Sequence, residues 1–160
     1  MKVHHVCVNV SDMEESLKLF EGILGFKIFI DEIIPEGGTF ESKVLDDIFH
    51  LKGAKSRMVI LVSDEGTMIE LEQPIVPKIQ KVPKEQLRYG YVGFSELAFQ
   101  VNNIEEWFKK IKAAGYETQT DYVWETGGSG AVKSFLFYDP DGNMIQFVED
   151  SVPTGERAVK

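Results

Sequence analysis

Apolar and polar residues alternate along VHHVCVNV, residues 3–10, as they do on a strand with one covered face. Val3, His5, Cys7 and Asn9 fall on one side; His4, Val6, Val8 and Val10 fall on the other, which is the apolar one. The period then changes. In SDMEESLKLFEGILGF, Ser11 and Asp12 are N-cap candidates and Glu14 or Glu15 can complete a capping box. Met13, Leu17, Phe20 and Leu24 make a helical stripe that Gly25 can end. KIFIDEII (27–34), RMVILV (57–62) and MIELEQ (68–73) read as three further strands.

From residue 94 the pattern returns. FSELAFQV places Glu96, Ala98 and Gln100 on one face and Leu97, Phe99 and Val101 on the other. NNIEEWFKKIKAAGY has Asn102 or Asn103 as cap, Glu105 and Glu106 in its first turn, Lys109, Lys110 and Lys112 toward its end, and Gly115 as terminator. ETQTD (117–121) and KSFLFY (133–138) read as strands, DPDGN (139–143) as a turn and MIQFVE (144–149) as the last strand. The echo of GTMIEL, residues 66–71, in GNMIQF, residues 142–147, therefore closes two copies of strand, helix and three strands.

These periods predict an α+β chain with one domain over 1–150, made of module 3–73 and module 94–149 joined by a proline-bearing linker 74–93, with a frayed tail at 151–160. The first module carries an insertion over 35–56 in which SKVLDDIFHL reads as a helix, and segments of this length often form lids or binding loops.

Composition narrows the partners. Seventeen basic against 26 acidic side chains give a formal charge of −9, which opposes a broad nucleic-acid footprint. The one cysteine, Cys7, allows neither an internal disulfide nor a cysteine zinc cage and fits a reducing, cytoplasmic setting. The N-terminus has no uninterrupted apolar run of the kind a membrane span or signal peptide needs.

Under the repeat, His5 aligns with Glu96, and Glu70 with Gln146, all on the polar faces of their strands. One imidazole nitrogen with carboxylate and amide oxygens suits an open divalent site for Zn, Ni, Co, Mn or Fe better than a closed tetrahedral one. Two carboxylates would also neutralise the ion they hold. His4 is expected to point into the helix layer, and His50 to meet water on the inserted helix.

HHVCVNVSDMEESLKLFEGILGF, GTMIEL, SELAFQVNNIEEWFKKIKAAG and FYDPDGNMIQFVE together resemble the vicinal oxygen chelate superfamily, which includes glyoxalase I, methylmalonyl-CoA epimerase, extradiol dioxygenases and the fosfomycin- and bleomycin-resistance proteins. The resemblance implies a glyoxalase-like fold in which tandem βαβββ modules curl a mixed sheet into a cup. It also implies a divalent metal held from the first and last strands of each module, here by His5, Glu70, Glu96 and Gln146. The family more often has His at the third place and Glu at the fourth. This departure lowers the dioxygenase, epimerase and fosfomycin readings, and leaves zinc-type glyoxalase I as the member with a similar complement of one His, two Glu and one Gln.

In activity the resemblance implies a lyase or isomerase acting on a small α-oxygenated substrate by enediolate chemistry, with Glu70 as the first candidate base and Glu96 as the second. Cys7 and Asn9 would line the cup beside His5, with Ala98, Gln100, Met144 and Val148 completing its floor. Arg57, Tyr122 and Trp124 are substrate-contact candidates at the rim. The competing expectations are a metal-free sequestration protein of the bleomycin-resistance kind and a ring-cleaving dioxygenase with an atypical ligand set. Members of the superfamily are commonly dimers, so a homodimer is expected.

Overall fold

The computed structural model describes residues 2–126 and 132–150, which fall into two compact units that divide after residue 81. The expected tail at 151–160 lies outside the described residues. The first unit runs β1 (Val6–Asn9), α1 (Met13–Leu17), β2 (Lys27–Ile34), α2 (Ser42–Phe49), β3 (Lys55–Val62) and β4 (Met68–Val76). The second runs β5 (Glu96–Gln100), α3 (Ile104–Ala113), β6 (Trp124–Thr126), β7 (Val132–Tyr138) and β8 (Met144–Asp150). Each unit folds one four-stranded mixed sheet, in the orders β1-β4-β3-β2 and β5-β8-β7-β6. Sheet order is the same in both, so the duplication read from the sequence is a duplication of topology.

In each unit the first and last strands lie side by side and parallel, with Cys7 opposite Glu70 in one and Ala98 opposite Gln146 in the other. The ladder ends alike, with the Val10 amide donating to the Glu72 carbonyl and the Val101 amide to the Val148 carbonyl, both at 2.8 Å. GTMIEL and GNMIQF owe their common opening to the turn before the last strand. Gly66 and Gly142 both sit at positive φ, 84° and 95°, and donate to the carbonyls of Ser63 and Asp139 at 3.0 Å. The Ser63 hydroxyl and the Asp139 carboxylate then accept the amides of Thr67 and Asn143. Burial pushes the Asp139 carboxyl up, and the hydrogen bonds it accepts from Asn143 oppose that shift.

α1 covers the apolar face of the first sheet and α3 that of the second. In the first unit Val59, Leu61, Ile69 and Leu71 are fully buried, with Met13, Leu19 and Phe20. In the second, Phe135, Phe137 and Phe147 pack against one another and against Trp107 and Phe108 of α3, mostly edge to face. Residues of the last strands hold the helix starts: the Gln73 side chain accepts the Met13 amide and donates to the Ser11 carbonyl, and Glu149 accepts the Asn103 amide at 2.6 Å.

Several expected boundaries move. Asp12 caps α1 through the amides of Glu14 and Glu15, but the helix continues as a π-turn over Lys18–Ile23. The wider turn rotates Leu19 into the core and leaves Leu24 half-buried, which breaks the expected stripe at its last member. Asn103 stands before α3 in the left-handed region without a side-chain cap, and Glu149 accepts its amide instead. ETQTD forms only a bridge, Thr118 to Phe137, and the edge strand is β6 at Trp124–Thr126. β4 runs on to Val76, into the expected linker, which also contains a short 3-10 turn at Lys84–Leu87.

Phe135 is fully buried at the centre of the aromatic cluster. Phe135→Ala should lower unfolding free energy by ~3–5 kcal/mol, since the rigid rings around it cannot collapse into the cavity. Urea denaturation monitored by the fluorescence of Trp107 measures the loss.

Candidate functional site

Because directly paired residues on neighbouring strands point to the same side, register assigns every polar candidate to a face. In the first unit Cys7, Glu70 and Ile60 form one row, and Glu72, Met58 and Glu32 the next. In the second, Glu96, Met144 and Tyr138 form one row, Ala98, Gln146 and Leu136 another, and Gln100, Val148, Ser134 and Trp124 a third. These inner faces lie opposite the helix layer.

His5 stands just before β1, with its Nε2 3.6 Å from Glu70 Oε2. Its other ring nitrogen is 2.8 Å from His4 Nδ1, and the two rings meet edge to face. His4 is exposed beside His5 and does not enter the helix layer: β1 begins only at Val6, so the alternation that would have turned His4 inward has not yet started. The contact matters chemically. When His5 donates through Nδ1 to His4, its Nε2 presents a lone pair on the side of Glu70.

The Cys7 thiol hydrogen-bonds Glu70. Desolvation first, then the charge of Glu70 and that hydrogen bond, push the thiol up to about 12, so Cys7 is a neutral donor at physiological pH. Glu72, two residues beyond Glu70, is 5% exposed, and its Oε1 has no hydrogen-bond partner among the described residues. Burial raises its carboxyl above the usual range, the Ser56 hydroxyl opposes the rise, and the charge of Glu70 adds to it. Glu72 was not among the sequence candidates, although the repeat pairs it with Val148, which was. The signal was there in the alignment of MIELEQ with MIQFVE.

In the second unit Glu96 accepts a short hydrogen bond from the Tyr89 hydroxyl, and the neighbouring Arg88 lies 3.6 Å above the Tyr138 ring and donates to the Gly142 carbonyl. The segment before β5 is thus tied to the row that contains Glu96. Gln146 is half-buried on the same face, with Gln100 and Trp124 farther along it, while Tyr122 is exposed in the loop before β6. His50 closes α2 in the left-handed region and is exposed, as expected.

Arg57 is a correction. Ile60 shares the face of Glu70, so Arg57, three residues away, points to the opposite side, where its guanidinium grips Asp31 at 2.8 and 2.9 Å and Glu14 of α1 at 2.6 Å. The bidentate pair holds Asp31 below the usual carboxylate range and leaves Arg57 no part in the inner face.

An imidazole nitrogen and a carboxylate oxygen converging on one side of the first sheet fit half of an open divalent site. Among the described residues no three His, Cys, Asp or Glu side chains converge as a complete ligand set. No helix among them is long and apolar enough to cross a membrane.

A duplicated α+β chain with polar inner faces is what this topology defines, and comparison with known proteins gives it a family. A model of the Glyoxalase/Bleomycin resistance protein/Dioxygenase superfamily matches residues 2–147, and the chain belongs to that superfamily. It is 27% identical to a lactoylglutathione lyase of Schizosaccharomyces pombe over 94% of its own length, and it spans about half, 48%, of that relative. In fold it is similar to a glyoxalase family protein from Bacillus cereus, with a TM-score of 0.77 at 16% identity over 94% of both chains. It is also similar to the fosfomycin resistance protein FosX from Listeria monocytogenes, solved with Mn(II) and 1S,2S-dihydroxypropylphosphonic acid. That match has a TM-score of 0.63 at 17% identity over 94% of this chain and 93% of the other.

The bond to Glu96 pushes the Tyr89 phenol up to about 12 from an ordinary 10. A raised folded value means that this contribution to stability is full below pH 10 and is lost as pH rises toward 12. Tyr89→Phe should therefore remove one late-titrating phenol from the alkaline absorbance titration and flatten the dependence of the melting temperature on pH in that window.

Proposed function

We propose that this protein is a metal-dependent lyase or isomerase of glyoxalase type, acting on a small α-oxygenated substrate such as a hemithioacetal. The observation that carries the reading is the approach of His5 Nε2 to Glu70 Oε2, on a face where the equivalent places of the second unit are Glu96 and Gln146. His5 and Glu70 are the proposed ligands of the first unit, and Glu96 and Gln146 those at the equivalent places of the second. A divalent ion, Zn, Ni, Co, Mn or Fe, would serve as the Lewis acid that favours enediolate character in the substrate. The glyoxalase-family matches and the metal in the FosX structure support this choice over a purely structural role.

Within this scheme Glu70 is the proton carrier. It takes a proton from the carbon beside the carbonyl and returns it to the neighbouring carbon, so the step is an isomerisation that needs no oxidant or reductant. Cys7, a neutral thiol bonded to Glu70, orients that carboxylate and does not act as a nucleophile. Glu96 is the second candidate, but its bond to Tyr89 has to loosen before it can move a proton. His4 orients His5. The protein is proposed to act as a cytoplasmic homodimer, with no nucleic-acid or membrane partner.

Reconstituted protein is expected to hold roughly one divalent ion per chain. His5→Ala and Glu70→Ala should lose it by elemental analysis, and Glu70→Ala should lower hemithioacetal turnover by about 10²–10⁴-fold. Protein that takes up no divalent ion, or a Glu70→Ala variant with undiminished turnover, sinks the proposal.

A further inference from the structure

Ahead of β5, residues 84–89 reach over the row of Glu96, Met144 and Tyr138 on the inner face of the second unit. Side chains make the attachment. The Arg88 guanidinium lies 3.6 Å above the Tyr138 ring and donates to the Gly142 carbonyl at 2.8 Å, and the Tyr89 hydroxyl donates to the Glu96 carboxylate. Lys84 lays its stem against Gly142, 3.1 Å from where a β-carbon would stand. The backbone adds nothing to this hold. The Gln86 amide donates to the Pro83 carbonyl within the segment's own turn, and among the described residues no backbone hydrogen bond joins 82–92 to a strand.

Two further features suit a segment that moves. Gly90 and Gly93 follow the attachment at φ 113° and 151°, and neither has a residue beyond its chain neighbours within 4 Å of the β-carbon it lacks. Tyr91, Val92 and Phe94 are exposed, the last two fully, so the stretch between the attachment and β5 has no packing to fix it. A segment tied by a few side chains and followed by unhindered glycines opens at far lower cost than a strand of the sheet.

We propose that residues 84–89 form a latch that withholds Glu96 from the inner face. Closed, Tyr89 holds the carboxylate and Arg88 covers Tyr138; open, Glu96 is returned to the face it shares with Gln146. The regulatory meaning rests on the proposed reaction, in which Glu96 is a ligand of the second unit and the second candidate base, whereas the opening itself depends only on the attachment. A carboxylate turned toward a phenol, with its charge shared in that bond, is a weaker ligand. Phenol and cation therefore compete, and each lowers the apparent affinity of the other.

Trypsin digestion of metal-free protein, with cleavage after Lys84 and Arg88 followed by mass spectrometry, reads the latch directly. Tyr89→Phe, at an exposed position, should speed cleavage at both roughly 5–10-fold, the effect of losing one exposed hydrogen bond to a charged acceptor. Glu96→Ala should do the same, and the double variant no more than either. Cleavage after Lys55 and Lys133, inside β3 and β7, should stay at the parent rate. Calorimetric titration with Mn(II) is the second arm: Tyr89→Phe should bind the ion more tightly by the same factor, because the competent population has grown by it. An unchanged cleavage rate in Tyr89→Phe, equal acceleration after Lys55 and Lys133, additive effects in the double variant, or equal Mn(II) affinity for parent and Tyr89→Phe overturns the latch. If neither form takes up Mn(II) while both single variants still open the segment, the latch stands and the metal reading alone fails.

Discussion

The parallel pairing of the first and last strand of each unit is the constraint on which everything else depends. A strand shows its side chains alternately to two faces, so one residue of slip would exchange the inner and helix-facing sets. The apolar sets prevent that slip: Ile69 and Leu71 beneath α1, and Ile145 and Phe147 beneath α3, are buried to 2% exposure or less. Register is thus enforced by the hydrophobic face and inherited by the polar one. Cys7 lies opposite Glu70, and Ala98 opposite Gln146, because the residues between them have nowhere else to go.

The same alternation decides how much of the site could be read from the sequence. Positions inside regular strands were legible: Cys7, Asn9, Glu70, Glu96, Gln100 and Gln146 all lie on the faces that periodicity assigns. Where regular pairing stops, the reading fails. His4 precedes the first ladder pair and turns beside His5, and ETQTD makes a single bridge because β6 pairs with the other end of β7. Arg57 differs for another reason: three residues from Ile60, which pairs with Glu70, it falls on the helix-facing side of a regular strand, where Asp31 and Glu14 hold it. The π-turn after α1 left no local mark, since it costs one extra residue in an otherwise ordinary helical stripe.

The two copies have drifted apart in the chemistry of their inner faces. His5, Cys7, Glu70 and Glu72 of the first correspond to Glu96, Ala98, Gln146 and Val148 of the second, so ionisable and nucleophilic groups are concentrated in the unit that also carries the insertion. In the second unit Leu136, Tyr138 and Met144 form a small apolar cluster on that face, with Arg88 stacked on Tyr138. A duplicated fold tolerates such divergence because its strand register is held by the helix-facing layer. The inner face is released to carry function.

Glu72 shows how far that release extends. A residue retained only for packing on this row would be apolar, like its counterpart Val148, and a residue retained for solubility would reach water. Glu72 does neither: it is buried, its carboxylate is served by Ser56, and Oε1 has no hydrogen-bond partner among the described residues. The insertion and the carboxylate are far apart in sequence and meet only in the fold. The short helix α2 is held there by the sheet itself: its Leu45 is buried and packs with Phe49 against Ile34, Ala54 and Met58, which gives the face that carries Glu72 an apolar core of its own.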